Sequence, residues 1–429
     1  MSFELIIGIL TLFGSAALGL PVAFAILVGV LVYLGVAGQD LAIAGETMVQ
    51  RLFDGFLLLA VPLFIVSANI MNAGSISDRL LNFCVALVGR FRGGLGHVNV
   101  VTSLIFSGMS GSAVADAAGI GRIIIDMMRK SGGYSRGYAA AITAATATIG
   151  PIIPPSIPMV LYALVSNASI SSLFLAGIIP GLFMGGVLMA INAVISNRRD
   201  FGYEAPVPLG KIPGITVRAA PALLMPVILL TGIYSGVTTP TEAAAIAALY
   251  ALIVAAGLYR ALKMKTLIEV FVESARSAAS VGLVIGASMI LTYVVIQENV
   301  PQMISALFAG AEISPLAFML LVNLLVLLLG CVLDATVIIL VIVPLFIPTC
   351  TQLGIDLVHF GVVIVVNAMI GLITPPYGIL LFVISAVTQI PLKEIIGEIW
   401  IFLAVLLFAL LAMIMFPEIV LFLPRALGY

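Results

Sequence analysis

IGPIIPPSIP at residues 149–158 and IGLITPPYGI at residues 370–379 are one pattern written twice, Ile-Gly followed by a Pro-Pro pair. Each lies inside a long apolar segment, 138–165 and 360–387. The shift from Gly150 to Gly371 is 221 residues (371 − 150), and it also carries Pro154 to Pro375 and Pro155 to Pro376. The chain therefore contains an internal repeat. A proline within a helix has no N–H to donate, and its ring pushes aside the carbonyl four residues earlier. Pro154 is thus expected to free the carbonyl of Gly150, and Pro375 that of Gly371. In a bilayer an unpaired carbonyl is costly, so a broken helix persists only where protein, water or an ion satisfies it. Two breaks at matching places in two halves point to the binding site of a secondary transporter. Ordinary proline kinks are the alternative.

The composition excludes a soluble domain. Of 429 residues 62% are hydrophobic and 9% charged, against about 25% charged in soluble domains. The chain is read as a polytopic membrane protein with room for roughly ten to thirteen crossing or re-entrant segments. A net charge of −1 and the lack of a basic tract give no sign of a nucleic-acid partner. Cys84, Cys331 and Cys350 have no paired spacing, and His97 and His359 stand alone. With no nucleophile–base pair, phosphate loop or metal-ligand cluster, neither an enzyme nor a bound cofactor is expected. The opening MSFELIIGILTLFG lacks a basic n-region and a cleavage site, so it reads as a retained helix.

Five blocks are expected. Residues 1–52 hold scaffold helices, with two helices or one long tilted helix over 4–37 and an interfacial stretch over 38–54. Residues 53–166 form a first transport repeat: a helix, a polar break at 72–80, a hairpin at 99–118 with its tip near Ser110 to Ser112, a basic flexible stretch at 122–136, and the broken helix. Residues 167–274 are connecting and scaffold helices. In the turn SGVTTPTEA (235–243), Thr239 or Thr241 can cap the second helix, and Glu242 sits favourably in its first turn. Residues 275–388 repeat the transport order, with an interfacial piece leading to a hairpin at 315–348, and residues 389–429 hold a C-terminal helix at 398–423. Arg198, Arg199, Lys211 and Arg218 precede the helical pair about 218–259, and Arg260, Lys263 and Lys265 follow it. The positive-inside rule then places the 235–241 turn outside.

Asp116 and Asp334 are the acids inside the two hairpins. An intramembrane carboxylate is a functional hypothesis by default; capping a helix, or pairing with an arginine such as Arg122, is the equal alternative for each. Ser107, Ser110, Ser112, Thr146, Thr148, Ser156, Thr336, Thr374 and Tyr377 offer hydroxyl oxygens suited to sodium, with protons as the alternative coupling ion. Many such hydroxyls simply bond to their own backbone. Asn99, Asn167, Asn323 and Asn367 read as buried amides, not separable from helix–helix bonding.

Five stretches, SGSAVADAAGIG (110–121), IGPIIPPSIPMVLY (149–162), GVTTPTEAAA (236–245), LDATVIILVIVPLFIP (333–348) and IGLITPPYGILLFV (370–383), make the whole chain resemble the large membrane subunit of tripartite ATP-independent periplasmic (TRAP) transporters. The resemblance implies an all-α polytopic membrane protein with inverted repeats, two re-entrant hairpins and two broken helices, working as an elevator in the bacterial inner membrane. It implies sodium-driven import of a carboxylate such as a C4-dicarboxylate, sialic acid or another sugar acid. The implied partners are a soluble periplasmic binding protein and a separate small four-helix membrane subunit, which some members carry fused. A first sodium site would fall on Ser107, Ser110, Gly150, Ile153 and Pro155, and a second on Gly330, Gly371, Thr374 and Tyr377. Substrate or coupling roles would fall near Ser112, Asp116, Ser156 and Asp334. The competing reading is a stand-alone sodium- or proton-coupled anion symporter of a related elevator superfamily.

Overall fold

The computed structural model describes residues 2–73, 76–310 and 313–429. Gly74 and Ser75, inside the polar break expected at 72–80, and residues 311–312, inside the expected interfacial piece, lie outside the described residues. Within the described residues the chain is helical throughout, without strands.

One order of elements occurs twice. The first pass is α1 (Phe3–Ala17), α2 (Val22–Val36), α3 (Ala42–Asp54), α4 (Ala60–Ala73) and α5 (Ile76–Val88). A hairpin follows, made of α6 (Gly94–Ser110), α7 (Ala113–Asp116), a π-helical turn (Ala117–Gly121) and α8 (Arg122–Ser131). Then come the broken helix α9 (Arg136–Ala147) and α10 (Ile157–Ser166), and the long α11 (Ile170–Arg198). The second pass is α12 (Ile212–Tyr234), α13 (Pro240–Leu252) and α14 (Met264–Gln297), which runs unbroken where Gly55 separates α3 from α4, then α15 (Val300–Gly310). Its hairpin is α16 (Pro315–Gly330), α17 (Ala335–Val337), a π-helical turn (Ile338–Ile342) and α18 (Ile347–Gln352). The broken helix α19 (Leu357–Gly371) and α20 (Ile379–Thr388), then α21 (Leu392–Met415) and a terminal α22 (Glu418–Ala426), complete the chain. Both Pro-Pro bonds are cis.

Each pass buries its broken half-helix most deeply. In α9 every residue from Gly137 to Ala147 is buried, and in α19 every residue from His359 to Gly371. An all-round apolar or small-residue surface is what such a central helix needs. Small residues allow close approach: a Cβ on Gly137 would lie 2.5 Å from the Glu394 carbonyl oxygen, and one on Gly286 would lie 2.6 Å from the Met48 side chain.

One end of the molecule carries a cluster of ion-paired arginines. Arg199 makes a two-pronged ion pair with Glu398 at 2.8 Å per contact, Arg136 reaches Glu394 at 3.4 Å, and Arg92 pairs with Asp200. The ends of α11 and the starts of α9 and α21 therefore share the cytoplasmic side. At the same end Tyr259 donates to the Arg218 carbonyl at 2.7 Å, and Arg79 lies over the Tyr259 ring at 3.9 Å. The 235–239 turn is at the opposite, outer end, where Tyr429 donates to the Tyr234 carbonyl at 3.1 Å. Walking the chain from there puts the start of α9 inside and the start of α19 outside, so the two repeats are inverted. Glu298, at the outer end of α14, accepts from Tyr33 at 2.8 Å, which brings the end of α2 outside as well.

One open alternative is settled and several expectations are corrected. Residues 4–37 form two helices, because Gly19 adopts φ +94° and Pro21 closes the turn. Arg122–Ser131 is not flexible: Ile124, Ile125 and Met128 form a buried face, so α8 is the second arm of a hairpin that spans 94–131. The second hairpin continues through Gln352. The C-terminal helix expected at 398–423 is two helices that meet at Phe416 and Pro417.

Thr239, and not Thr241, caps α13. Its hydroxyl accepts from the Glu242 N–H at 3.3 Å, and the Glu242 carboxylate accepts from the Thr239 N–H at 2.8 Å, a capping box. Thr239→Ala is expected to lower unfolding stability by about 1 kcal/mol, read as a small drop in the thermal midpoint of the detergent-solubilised chain.

Candidate functional site

The first break is built by α9 ending at Ala147 and α10 starting only at Ile157. Between them the Gly150 carbonyl accepts no hydrogen bond from the described residues. Pro154 has no N–H to offer it. Ser156 caps α10, accepting from the Met159 N–H at 3.2 Å, and its hydroxyl donates to the Pro151 carbonyl. The hairpin tip meets this break directly. Gly111 takes φ +60°, and a Cβ added to it would lie 2.6 Å from the Pro155 carbonyl oxygen. The left-handed backbone and the close approach both require glycine here.

Asp116 is 2% exposed and reaches into the same break. Ser110 donates to its Oδ1, while Oδ2 has no partner among the described residues. Oδ2 faces Gly150 so closely that a Cβ on Gly150 would collide with it. A carboxylate buried this way demands a cation or a proton. The alternative of pairing with Arg122 does not occur: Arg122 is exposed and makes no ion pair with the described side chains. Ser107 is fully buried and donates to the Leu104 carbonyl at 2.6 Å, which leaves its lone pairs open. Ser107, Ser110, Gly150 and Pro155 thus gather with Asp116 about one hairpin tip, and Ile153 lies in the same break, its side chain packed where a Cβ on Gly181 would go.

The second break is closed more tightly. The Gly371 carbonyl is not free, because Thr374 N–H donates to it at 3.0 Å. A tight turn replaces the donor that Pro375 removes. Gly330 of the hairpin lies against it: a Cβ on Gly371 would be 2.7 Å from the Gly330 Cα. The Thr374 hydroxyl donates to the Ile370 carbonyl at 2.8 Å, and Tyr377 is 51% exposed with its ring 5.0 Å from Phe382. Gly330, Gly371 and Thr374 are brought together, whereas the Tyr377 side chain turns outward.

Asp116 and Asp334 do not occupy equivalent positions. Ser112 caps α7, accepting from the Ala115 N–H at 3.4 Å, and Asp334 caps α17, accepting from the Thr336 N–H at 2.8 Å. The repeat partner of Asp334 is therefore Ser112. Both line a cavity of about 520 Å³ between the hairpin tips, and no Lys or Arg is among the described residues lining it. Helix N-termini at Ser112, Ile157 and Asp334 open onto it, and such ends attract anions. Asn69, Ser277 and Ser280, from α4 and α14, complete the polar lining. Nothing in the sequence singled them out.

The sequence matches the family described as tripartite ATP-independent periplasmic transporter, DctM component, over residues 9–419. The chain belongs to the TRAP transporter large permease family. It is 39% identical to the sialic acid TRAP transporter large permease protein SiaM of Vibrio cholerae, over 96% of each chain. It is 38% identical to the C4-dicarboxylate TRAP transporter large permease protein DctM of Pseudomonas aeruginosa, over 89% of this chain and 90% of that one. It is also 36% identical to the 2,3-diketo-L-gulonate TRAP transporter large permease protein YiaN of Escherichia coli, over 95% and 96%. The fold is similar to the crystal structure of the Alcanivorax borkumensis YdaH transporter, with a TM-score of 0.63 at 15% identity over 86% of each chain. As a TRAP large permease with six helices long and apolar enough to span a bilayer among the described residues, it is a multi-pass protein of the bacterial inner membrane.

Proposed function

We propose that this permease is the translocating subunit of a sodium-driven importer of an organic anion, acting with a small membrane subunit and a soluble periplasmic binding protein. The carrying observation is the open Gly150 carbonyl and the unpartnered Asp116 oxygen, both at the first break beside the inter-hairpin cavity. Sodium prefers hard oxygen ligands. Carbonyls of broken helices, hydroxyls and one carboxylate supply them at site 1, with Ser107, Ser110, Gly150, Ile153 and Pro155 as ligands and Asp116 as the charge that draws the ion in. Gly330, Gly371, Thr374 and Tyr377 form site 2, Tyr377 through its backbone. The anion sits between the tips at Ser112 and Asp334, with Ser156 holding the start of α10 beside it, its charge met by helix N-termini and by the bound cations. The hairpins and broken helices then move together as an elevator past α4 and α14.

The relatives' acids define the panel to test: sialic acid, a C4-dicarboxylate and 2,3-diketo-L-gulonate, each with a matching binding protein. Uptake into proteoliposomes that requires the binding protein and the small subunit supports the tripartite reading. Full uptake without the binding protein supports the stand-alone symporter instead.

A further inference from the structure

Two buried polar contacts sit at matching places in the two repeats, and the transport reading leaves them unused. In the first, Asn99 on α6 donates to the Thr143 hydroxyl on α9 at 2.6 Å and accepts from the Thr146 hydroxyl at 3.0 Å. In the second, Asn367 on α19 donates to the Asn323 side-chain oxygen at 2.8 Å and to the Asn323 carbonyl, on α16, at 2.6 Å. All five residues are at most 3% exposed. Both contacts join the first arm of a hairpin to the half-helix that ends at a break. Thr146 precedes Gly150 by four residues, and Asn367 precedes Gly371 by four. Each tie therefore lies one helical turn, about 6 Å, from the break.

We infer that Asn99 and Asn367 are positioning residues for the two cation sites, fixing each broken half-helix against its hairpin so that carbonyls from two separate segments face one ion. This rests on the sodium reading above. The physical need is specific. A cation shell built partly from the tip (Ser110, Gly330) and partly from the break (Gly150, Gly371) tolerates errors of only about 0.2 Å. The last turn of α9 and of α19 has no helix beyond it to hold its register. In the second repeat the contacts nearer the break are apolar, the close backbone approach of Gly330 and Gly371. Such contacts resist compression but not sliding. A hydrogen bond is directional, and in a low-dielectric interior its misplacement is costly. The repeats also solve the problem with different chemistry, hydroxyls at 143 and 146 against an amide at 367. The position one turn before the break is polar in both repeats, and the residue type there is exchangeable in principle.

The test uses the purified full chain and reads its thermal unfolding midpoint as NaCl replaces KCl at constant ionic strength. Wild type is expected to be stabilised by sodium with a defined half-saturating concentration. Asn367→Leu and the double variant Asn323→Leu/Asn367→Leu are expected to raise that concentration by about tenfold. Asn367→Thr, which installs the residue type of the first repeat opposite Asn323, is expected to return it to within about threefold. Asn99→Leu makes the same test in the first repeat. The double variant leaves no buried amide unpaired, so a purely structural role predicts near-normal stability and an unchanged sodium response. Half-saturation equal to wild type in these variants, whatever their midpoint in KCl, overturns the positioning role. No sodium-specific stabilisation of wild type overturns the sodium sites and this inference with them.

Discussion

Asp116→Asn is expected to lower sodium-driven uptake by at least about 100-fold while leaving the fold intact. The substitution is isosteric, and the asparagine Oδ1 still accepts from Ser110, which donates to Asp116 in the native chain. What changes is the atom that faces Gly150. An N–H pair replaces the unpartnered Oδ2, so a donor points at the place where a cation would be held. Loss of the charge and gain of a misdirected donor each cost on the order of 1–3 kcal/mol in a buried setting. Together they reach the factor expected. Initial uptake rates across a sodium series check it, with the thermal midpoint in KCl as the control for folding. Wild-type rates with unchanged sodium dependence would make Asp116 a structural residue.

Gly371→Ala is the second large effect. The new methyl would sit 2.7 Å from the Gly330 Cα and 2.8 Å from its carbonyl carbon. These are backbone atoms and cannot rotate away, so the hairpin tip and the break must move apart. Overpacking of this kind costs about 1–3 kcal/mol, and displacing the site-2 carbonyls is expected to reduce sodium-driven uptake by at least about tenfold. Gly397→Ala is the matched control, since nothing lies within 4 Å of its Cβ position. It should transport normally and be slightly more stable, by about 0.5–1 kcal/mol. Equal activity of the two variants would remove the Gly330–Gly371 contact from the account.

The repeated Gly and Pro-Pro pattern was enough to locate both breaks, because a missing donor acts on the backbone whatever surrounds it. It did not reveal that Thr374 N–H takes the place of the lost donor at Gly371, since that depends on a turn closed by the residues after the helix. Counting acids paired Asp116 with Asp334, whereas the capping geometry pairs Ser112 with Asp334. Chemical type misled where backbone position decides. The basic residues of 122–131 drew attention away from Ile124, Ile125 and Met128, whose spacing already marks a buried helical face. Ser277 and Ser280 had no signature at all. A serine on a 34-residue helix acquires meaning only from the hairpins packed beside it.

A sodium gradient is expected to drive this permease. The most direct measurement is anion uptake into proteoliposomes holding the chain and its small subunit, with binding protein outside. An inward sodium gradient at equal pH is compared with an inward proton gradient in choline. The account predicts concentrative uptake with sodium alone and none with protons alone. Uptake driven by protons and indifferent to sodium would contradict it and leave Asp116 as a proton carrier.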